Sequence, residues 1–240
     1  MYEMKIQVRY SETDRNGRVR LHQILEYFQD CVTFHSMAVG LGIRGDEQEN
    51  RAWYLIAWDI HIHRYPEMAE YLTIVTEPYK MRGFYGYRRF KIVNANHNVL
   101  VEADSNWIFM DIEKMIPVKI PQDLADRYIS SPVEDQTVRV KRKLSAEGEW
   151  EERETLTVTK VFLDSNGHVN NTYYVLWAED VLPEEYEIKE VKVDYRQSAF
   201  LGDTIRISSI EEEKGWRVRF MNQDQTLIAL VELKKIKKII

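Results

Sequence analysis

Two six-residue stretches, Asp14-Arg15-Asn16-Gly17-Arg18-Val19 and Asp164-Ser165-Asn166-Gly167-His168-Val169, recur at a separation of 150 residues. They differ at the second and fifth positions, and the fifth difference changes the chemistry on offer, because Arg18 stands where the later copy has His168. In the second copy a carboxylate, a carboxamide and an imidazole fall within five residues. Asp164 could orient or deprotonate a water, and the backbone N–H groups of Val169 and Asn170 open a helix and face negative charge. An ordinary carboxylate is a poor base near neutral pH, so Asp164 serves as the base only if burial or a nearby acid raises its pKa; otherwise it orients. The structural use of the same residues is a turn, with the aspartate as cap and Asn-Gly as bend.

The flanks repeat as well. Leu21, Ile24, Leu25, Tyr27, Phe28, Cys31 and Val32 follow the first copy at helical spacing, and Tyr173, Tyr174, Leu176, Trp177, Val181 and Leu182 follow the second, stopped by Pro183. The first helix is expected over Leu21 to Leu41, with Gly40 and Gly42 as its C-terminal cap. Strands are expected at Lys5 to Tyr10, Tyr54 to His63, Tyr71 to Tyr79, Gly86 to Asn94 and Val99 to Asp111 in the first half. The second half adds Val158 to Phe162, Ile188 to Tyr195, Thr204 to Glu211, Trp216 to Asn222 and Thr226 to Lys234. Asn94-Ala95-Asn96-His97-Asn98 reads as a turn, and Gly83 to Gly86 as a hairpin rather than a phosphate loop. A polar segment bearing Pro132 separates the halves, giving a unit at 1–130, a linker at 131–154 and a unit at 155–240. One long helix and one antiparallel sheet bury their apolar faces only against each other, so the fold class is α+β.

With 44% hydrophobic and 30% charged residues, the 240-residue chain can bury a core. A net charge of −6 argues against a general nucleic-acid binder. The single cysteine, Cys31, excludes an intrachain disulfide and is read as a small buried hydrophobe. No apolar run approaches a membrane span and Met1-Tyr2-Glu3-Met4-Lys5 lacks a signal pattern, so a cytoplasmic protein is expected. His61 and His63 share a strand face without a third ligand, and neither a metal nor another cofactor is expected. Three basic clusters, Lys141-Arg142-Lys143, Arg88-Arg89 with Lys91, and Lys234-Lys235 with Lys237-Lys238, are solvated faces or a docking patch for an acidic partner.

A helix opened by Asp164-Ser-Asn166-Gly-His168-Val-Asn-Asn-Thr-Tyr-Tyr174 and wrapped by an antiparallel sheet resembles the hot-dog fold of thioesterases. With His63-Arg64-Tyr65-Pro66, Ala103-Asp-Ser-Asn-Trp107-Ile-Phe-Met110 and Asp194-Tyr195-Arg196 in this order, nearly the whole chain resembles the acyl-acyl carrier protein thioesterases, whose single chain carries two hot-dog units. The resemblance implies a tandem hot-dog and hydrolysis of fatty acyl-acyl carrier protein. Acyl carrier protein is then the partner, and the chain is a monomer of two units or a homodimer. It places the family's functional aspartate, asparagine and histidine on Asp164, Asn166 and His168. Asn166 would donate to the thioester oxygen, and His168 would bind water or shuttle a proton. The plant members carry a glutamate and a cysteine after the Tyr-Arg pair, where this chain has Ser198 and Ala199. Those roles do not transfer, and Ser198 is a second-rank candidate.

The first unit, with Arg18 in place of histidine, is expected to shape an acyl pocket, for which Trp53, Trp58, Trp107 and Phe109 are candidate linings. Acyl-coenzyme A hydrolysis and non-catalytic acyl binding are the competing functions. Because hot-dog folds also host dehydratases, fold alone does not choose the reaction.

Overall fold

A computed structural model describes residues 1–41, 50–129, 135, 137–140, 143–183 and 186–237. Gly42, Pro132, Lys141, Arg142 and Lys238 lie outside the described residues. The chain divides into two compact units, one of Met1–Ile56 with Ile62–Val140 and one of Ala57–His61 with Lys141–Ile240.

In the first unit, strand β1 (Tyr2–Gln7) leads through a short 3-10 turn, Tyr10–Glu12, to helix α1 (Leu21–Ala38). Strands β2 (Arg51–Ile62), β3 (Tyr71–Arg82), β4 (Tyr85–Asn94) and β5 (Val99–Asp111) follow, then the short β6 (Ile116–Pro117) and helix α2 (Gln122–Tyr128). The strand order is β1-β3-β4-β5-β2, with β6 paired to β5. The β3–β4 register runs from Leu72 against Asn94 to Arg82 against Tyr85 and shifts between Pro78 and Lys80, where proline has no N–H to give the ladder. Gly83, at φ +64°, sits in the two-residue connection of this hairpin. At the next turn Asn94 Oδ1 accepts the N–H groups of Asn96 and Asn98. Leu21, Ile24, Leu25, Phe28, Cys31 and Val32 form the buried stripe of α1, and Phe28 meets Phe90 of β4 at 4.9 Å. The helix ends at Ala38 rather than Leu41, because Gly40 takes φ +86°.

The second unit holds β7 (Glu151–Thr157), a 3-10 turn at Lys160–Phe162, α3 (Asn171–Asp180), β8 (Tyr186–Tyr195), β9 (Thr204–Glu212), β10 (Gly215–Asn222) and β11 (Leu227–Lys237). Its strand order is β8-β11-β10-β9-β7, and Ala57–His61 pairs antiparallel with β8, from Ala57 against Asp194 to His61 against Glu190. Helix α3 packs Tyr174 onto Phe220 of β10 at 5.3 Å.

Three expectations are corrected. Val158 to Phe162 is not a strand: the chain turns at Lys160–Phe162 as it does at Tyr10–Glu12 in the first unit. The strand that opens the second unit is β7, which begins at Glu151 inside the expected linker; its residues are largely exposed, so its sequence lacks an apolar alternation. Other parts of that linker are packed: Val140 and Leu144 are buried, and Leu144 N–H donates to the Asp194 carboxylate at 3.1 Å.

Candidate functional site

The second turn is built around Asp164. Its Oδ1 accepts the backbone N–H groups of Asn166 at 2.8 Å and His168 at 3.1 Å, while Asp164 N–H donates to His168 O at 2.8 Å. Gly167, at φ +78°, closes the bend. One carboxylate oxygen is thereby fixed by the backbone. Among the described residues, neither Asp164 Oδ2 nor the side-chain amide of Asn166 has a partner. Asp164, Asn166 and His168 are thus gathered on one turn, with Asn166 exposed and His168 half-buried edge-on to Phe200 at 4.9 Å between ring centroids.

The expected oxyanion donors are corrected. Val169 N–H donates to Ala199 O at 2.9 Å and Asn170 N–H to Phe162 O at 2.8 Å, so both are used in holding the turn against its neighbours. Asn170 instead serves α3 with its side chain, which accepts from Thr172 N at 3.1 Å as an N-cap. The segment carrying Ser198 runs antiparallel beside the turn, with His168 bridged to Phe200. Continuing that register places Ser198 beside Asn170.

Sequence reasoning missed how Asp194-Tyr195-Arg196 works. Tyr195 OH donates to Asn171 O at 2.8 Å and so pins the first residue of α3, and burial pushes its phenol well above the ordinary range. Arg196 Nε and Nη2 reach Asp194 Oδ2 at 2.9 and 2.8 Å. The motif was visible, but its role as a brace was not, since nothing in the sequence links Tyr195 to a carbonyl 24 residues earlier.

The first unit contains a narrow open cleft with about 10 Å³ of enclosed space, room for roughly one water. Trp53 and Trp107 line it with Val32 and Met81. Trp58 and Phe109 do not: Trp58 is buried in the core, and Phe109 packs in a cluster with Leu124 and Tyr128. Most described side chains of the three basic clusters are engaged, Lys143 remaining exposed. Lys234 pairs with Glu190, Lys235 with Glu211, Lys91 with Glu102 and Arg89 with Asp135, while Arg88 is buried. His61 lies against Asp59 at 3.1 Å and His63 against Glu102 at 3.4 Å. No helix among the described residues is long and apolar enough to cross a membrane.

Residues 1–128 match the acyl-ACP thioesterase N-terminal domain and residues 145–235 its C-terminal domain. The chloroplastic oleoyl-acyl carrier protein thioesterase of Coriandrum sativum is 25% identical over 225 residues, covering 85% of this chain and 61% of that protein. An acyl-[acyl-carrier-protein] hydrolase of Cuphea viscosissima is 22% identical over 233 residues, covering 89% and 55%. The chain spans about three-fifths of the length of the first of these relatives. Among solved structures, a putative oleoyl thioesterase from Lactobacillus plantarum superposes with a TM-score of 0.88 at 24% identity, covering 100% of this chain and 97% of that one. The 12:0-ACP thioesterase of Umbellularia californica gives 0.83 at 16%, covering 99% and 97%. These likenesses show the tandem hot-dog fold, an α+β architecture in which each unit sets an antiparallel sheet against a helix. With its two domain profiles matched in order, the chain belongs to the acyl-ACP thioesterase family.

Proposed function

We propose that the chain hydrolyses the thioester of fatty acyl-acyl carrier protein to free fatty acid and carrier, using the turn from Asp164 to His168. The observation that carries this reading is the pair of uncommitted groups on one hydrogen-bonded turn, Asp164 Oδ2 and the Asn166 amide, with Asn166 two residues from each of Asp164 and His168. The free carboxylate oxygen orients a water, and the imidazole, the usual proton carrier near neutral pH, takes its proton as the oxygen attacks the carbonyl carbon. The Asn166 amide donates to the oxyanion that forms. The thiolate then leaves with little help, since thiols are far more acidic than alcohols or amines. Ser198 and Ala199 supply neither a carboxylate nor a thiol, so the proton is handled within the turn. Acyl carrier protein is the partner, the first unit shapes the acyl pocket, and the cytoplasm is the compartment.

The test is turnover of matched acyl-carrier and acyl-coenzyme A substrates by the wild type and His168→Ala. Carrier-linked substrate should be hydrolysed faster, and both rates should fall in the variant. Preference for coenzyme A would overturn the choice of substrate, and binding without turnover would make the protein an acyl-binding module. Cys31 is buried with its Sγ 3.5 Å from Ile74 O, and burial pushes its thiol up to about 12. Cys31→Ser should therefore leave kcat within about twofold of wild type. Abolished turnover in a folded variant would return a covalent mechanism.

A further inference from the structure

Arg88 lies on β4 with 5% of its surface exposed, in the lining of the first unit's cleft. A guanidinium stays protonated in proteins, and taking it out of water without an anion is costly. Yet every neighbour it has is neutral. Nη1 donates to His35 Nδ1 at 3.0 Å and to Thr76 Oγ1 at 3.2 Å, and the Tyr128 ring lies 4.9 Å from the guanidinium carbon. Because Arg88 can only donate, His35 Nδ1 must be bare and its ring uncharged. Burial and the arginine together hold its pKa down to about 3. Among the described residues no carboxylate pairs with Arg88.

A second unspent donor belongs to a residue of the same lining. Trp53 Nε1 is buried without a partner, and the Trp53 ring packs where a side chain at Gly86 would stand: a Cβ there would be 2.9 Å from the indole. Around these donors the walls are mostly apolar, formed by Val32, Met81 and Trp107, with Ser36 and Tyr87 as their hydroxyl-bearing members. A buried cation and an indole N–H in an apolar cleft match a carboxylate on an aliphatic chain.

We infer that this cleft binds the carboxylate of an aliphatic acid, with Arg88 as the charge partner and Trp53 Nε1 as a second donor. The inference extends the reading of the first unit as an acyl pocket, but direct binding tests it without any turnover. The carboxylate has two possible sources: the released acid entering head-first, or a second carboxylate at the far end of an acyl substrate.

Calorimetric titration of the full chain with octanoate, octanol and octylammonium at pH 7.5 is the primary test. Octanoate should bind at least about tenfold more tightly than octanol, with octylammonium weakest. Arg88→Met should erase that preference. Trp53→Phe, which keeps the ring packing, should weaken octanoate by about two- to fivefold if Arg88→Met fails to fold. Equal affinities for octanoate and octanol, no detectable binding of octanoate, preference retained in folded Arg88→Met or, if that variant does not fold, full octanoate affinity in Trp53→Phe would overturn the inference. Kinetics then assign the source. Inhibition of octanoyl-thioester hydrolysis by octanoate, lost in Arg88→Met, identifies the released acid. A higher kcat/KM for an ω-carboxyoctanoyl thioester, lost in the same variant, identifies the substrate's far end. Absence of turnover in every arm would defeat the proposed hydrolysis and leave the binding result standing.

Discussion

The two turns are alike in their bonds and unlike in what those bonds leave over. Asp14 Oδ1 accepts the N–H groups of Asn16 at 2.8 Å and Arg18 at 3.0 Å, matching Asp164 with Asn166 and His168. Val19 N–H donates to Pro66 O and Arg20 N–H to Glu12 O, as Val169 and Asn170 donate to Ala199 O and Phe162 O. In the first turn, however, the Asn16 amide reaches back to Asp14 Oδ2 at 3.4 Å. The second turn has no such closure among the described residues. The aspartate is thus a turn-builder in both halves, and only in the second does it also have an oxygen to spare. Position in a motif identifies neither role; the second oxygen does.

The sharpest way to break this comparison is to change both aspartates alike. Asparagine keeps Oδ1 as an acceptor, so Asp14→Asn and Asp164→Asn should both fold with similar thermal midpoints. Turnover should fall about 10²- to 10⁴-fold in Asp164→Asn and less than about twofold in Asp14→Asn. Equal losses would make both turns structural and sink the assignment. The fifth position gives the next largest effect. His168→Arg, which copies the first turn into the second, should cost roughly 10²-fold in kcat. The reciprocal Arg18→His should add no activity, because Asn16 still spends its amide on Asp14.

Much of this was legible before any coordinates. The helical spacing after each turn, the span Val99 to Asp111 and the asparagine turn before it could be read because each rests on local periodicity or local hydrogen bonding. The residues of the proposed site could be grouped for the same reason, since they share one five-residue bend. What failed depends on partners far away in sequence. Nothing local shows that Val169 and Asn170 give their N–H groups to Ala199 and Phe162, or that β7 forms from exposed polar residues by pairing with β9. Arg88 was read as part of a surface cluster from its neighbours in sequence, although β4 turns it inward while Arg89 meets Asp135.

Beneath the turns the halves diverge again. Glu12 Oε2 accepts from Tyr27 OH at 2.8 Å and Arg9 N–H at 2.7 Å, whereas the same positions 150 residues on hold Phe162 and Trp177, edge to face at 5.1 Å. Phe162→Ala, at a partly exposed position, should destabilise by about 1–3 kcal/mol through lost packing. Glu12→Ala should cost about 1–3 kcal/mol by leaving two donors unmet. Glu12→Gln, which still offers one acceptor, should recover part of that loss, as chemical denaturation would show. If Glu12→Ala and Glu12→Gln were equally destabilised, hydrogen bonding would not be what holds the first turn.

Two buried aspartates, Asp194 and Asp104, give the smallest and most specific contrast. Asp194 receives Leu144 N–H and the Arg196 guanidinium, so its charge is met. Asp104 receives Tyr79 OH at 3.0 Å and Arg139 N–H at 3.3 Å, and burial pushes its carboxyl up to about 6 against these donors. An unfolded aspartate titrates near 3.9, so between about pH 4 and pH 6 the folded state binds more protons than the unfolded state. Stability from this group is therefore fully present below about pH 4 and is lost as pH rises through about 6. Asp104→Asn cannot ionise, so its stability relative to wild type should rise between pH 5 and pH 8, read as the shift in urea midpoint. Asp194→Asn removes a met charge and should lower the midpoint at both pH values. A pH-independent difference for Asp104→Asn would mean that Arg89 and the two donors offset the burial of the Asp104 carboxylate, and the two aspartates would then be equivalent.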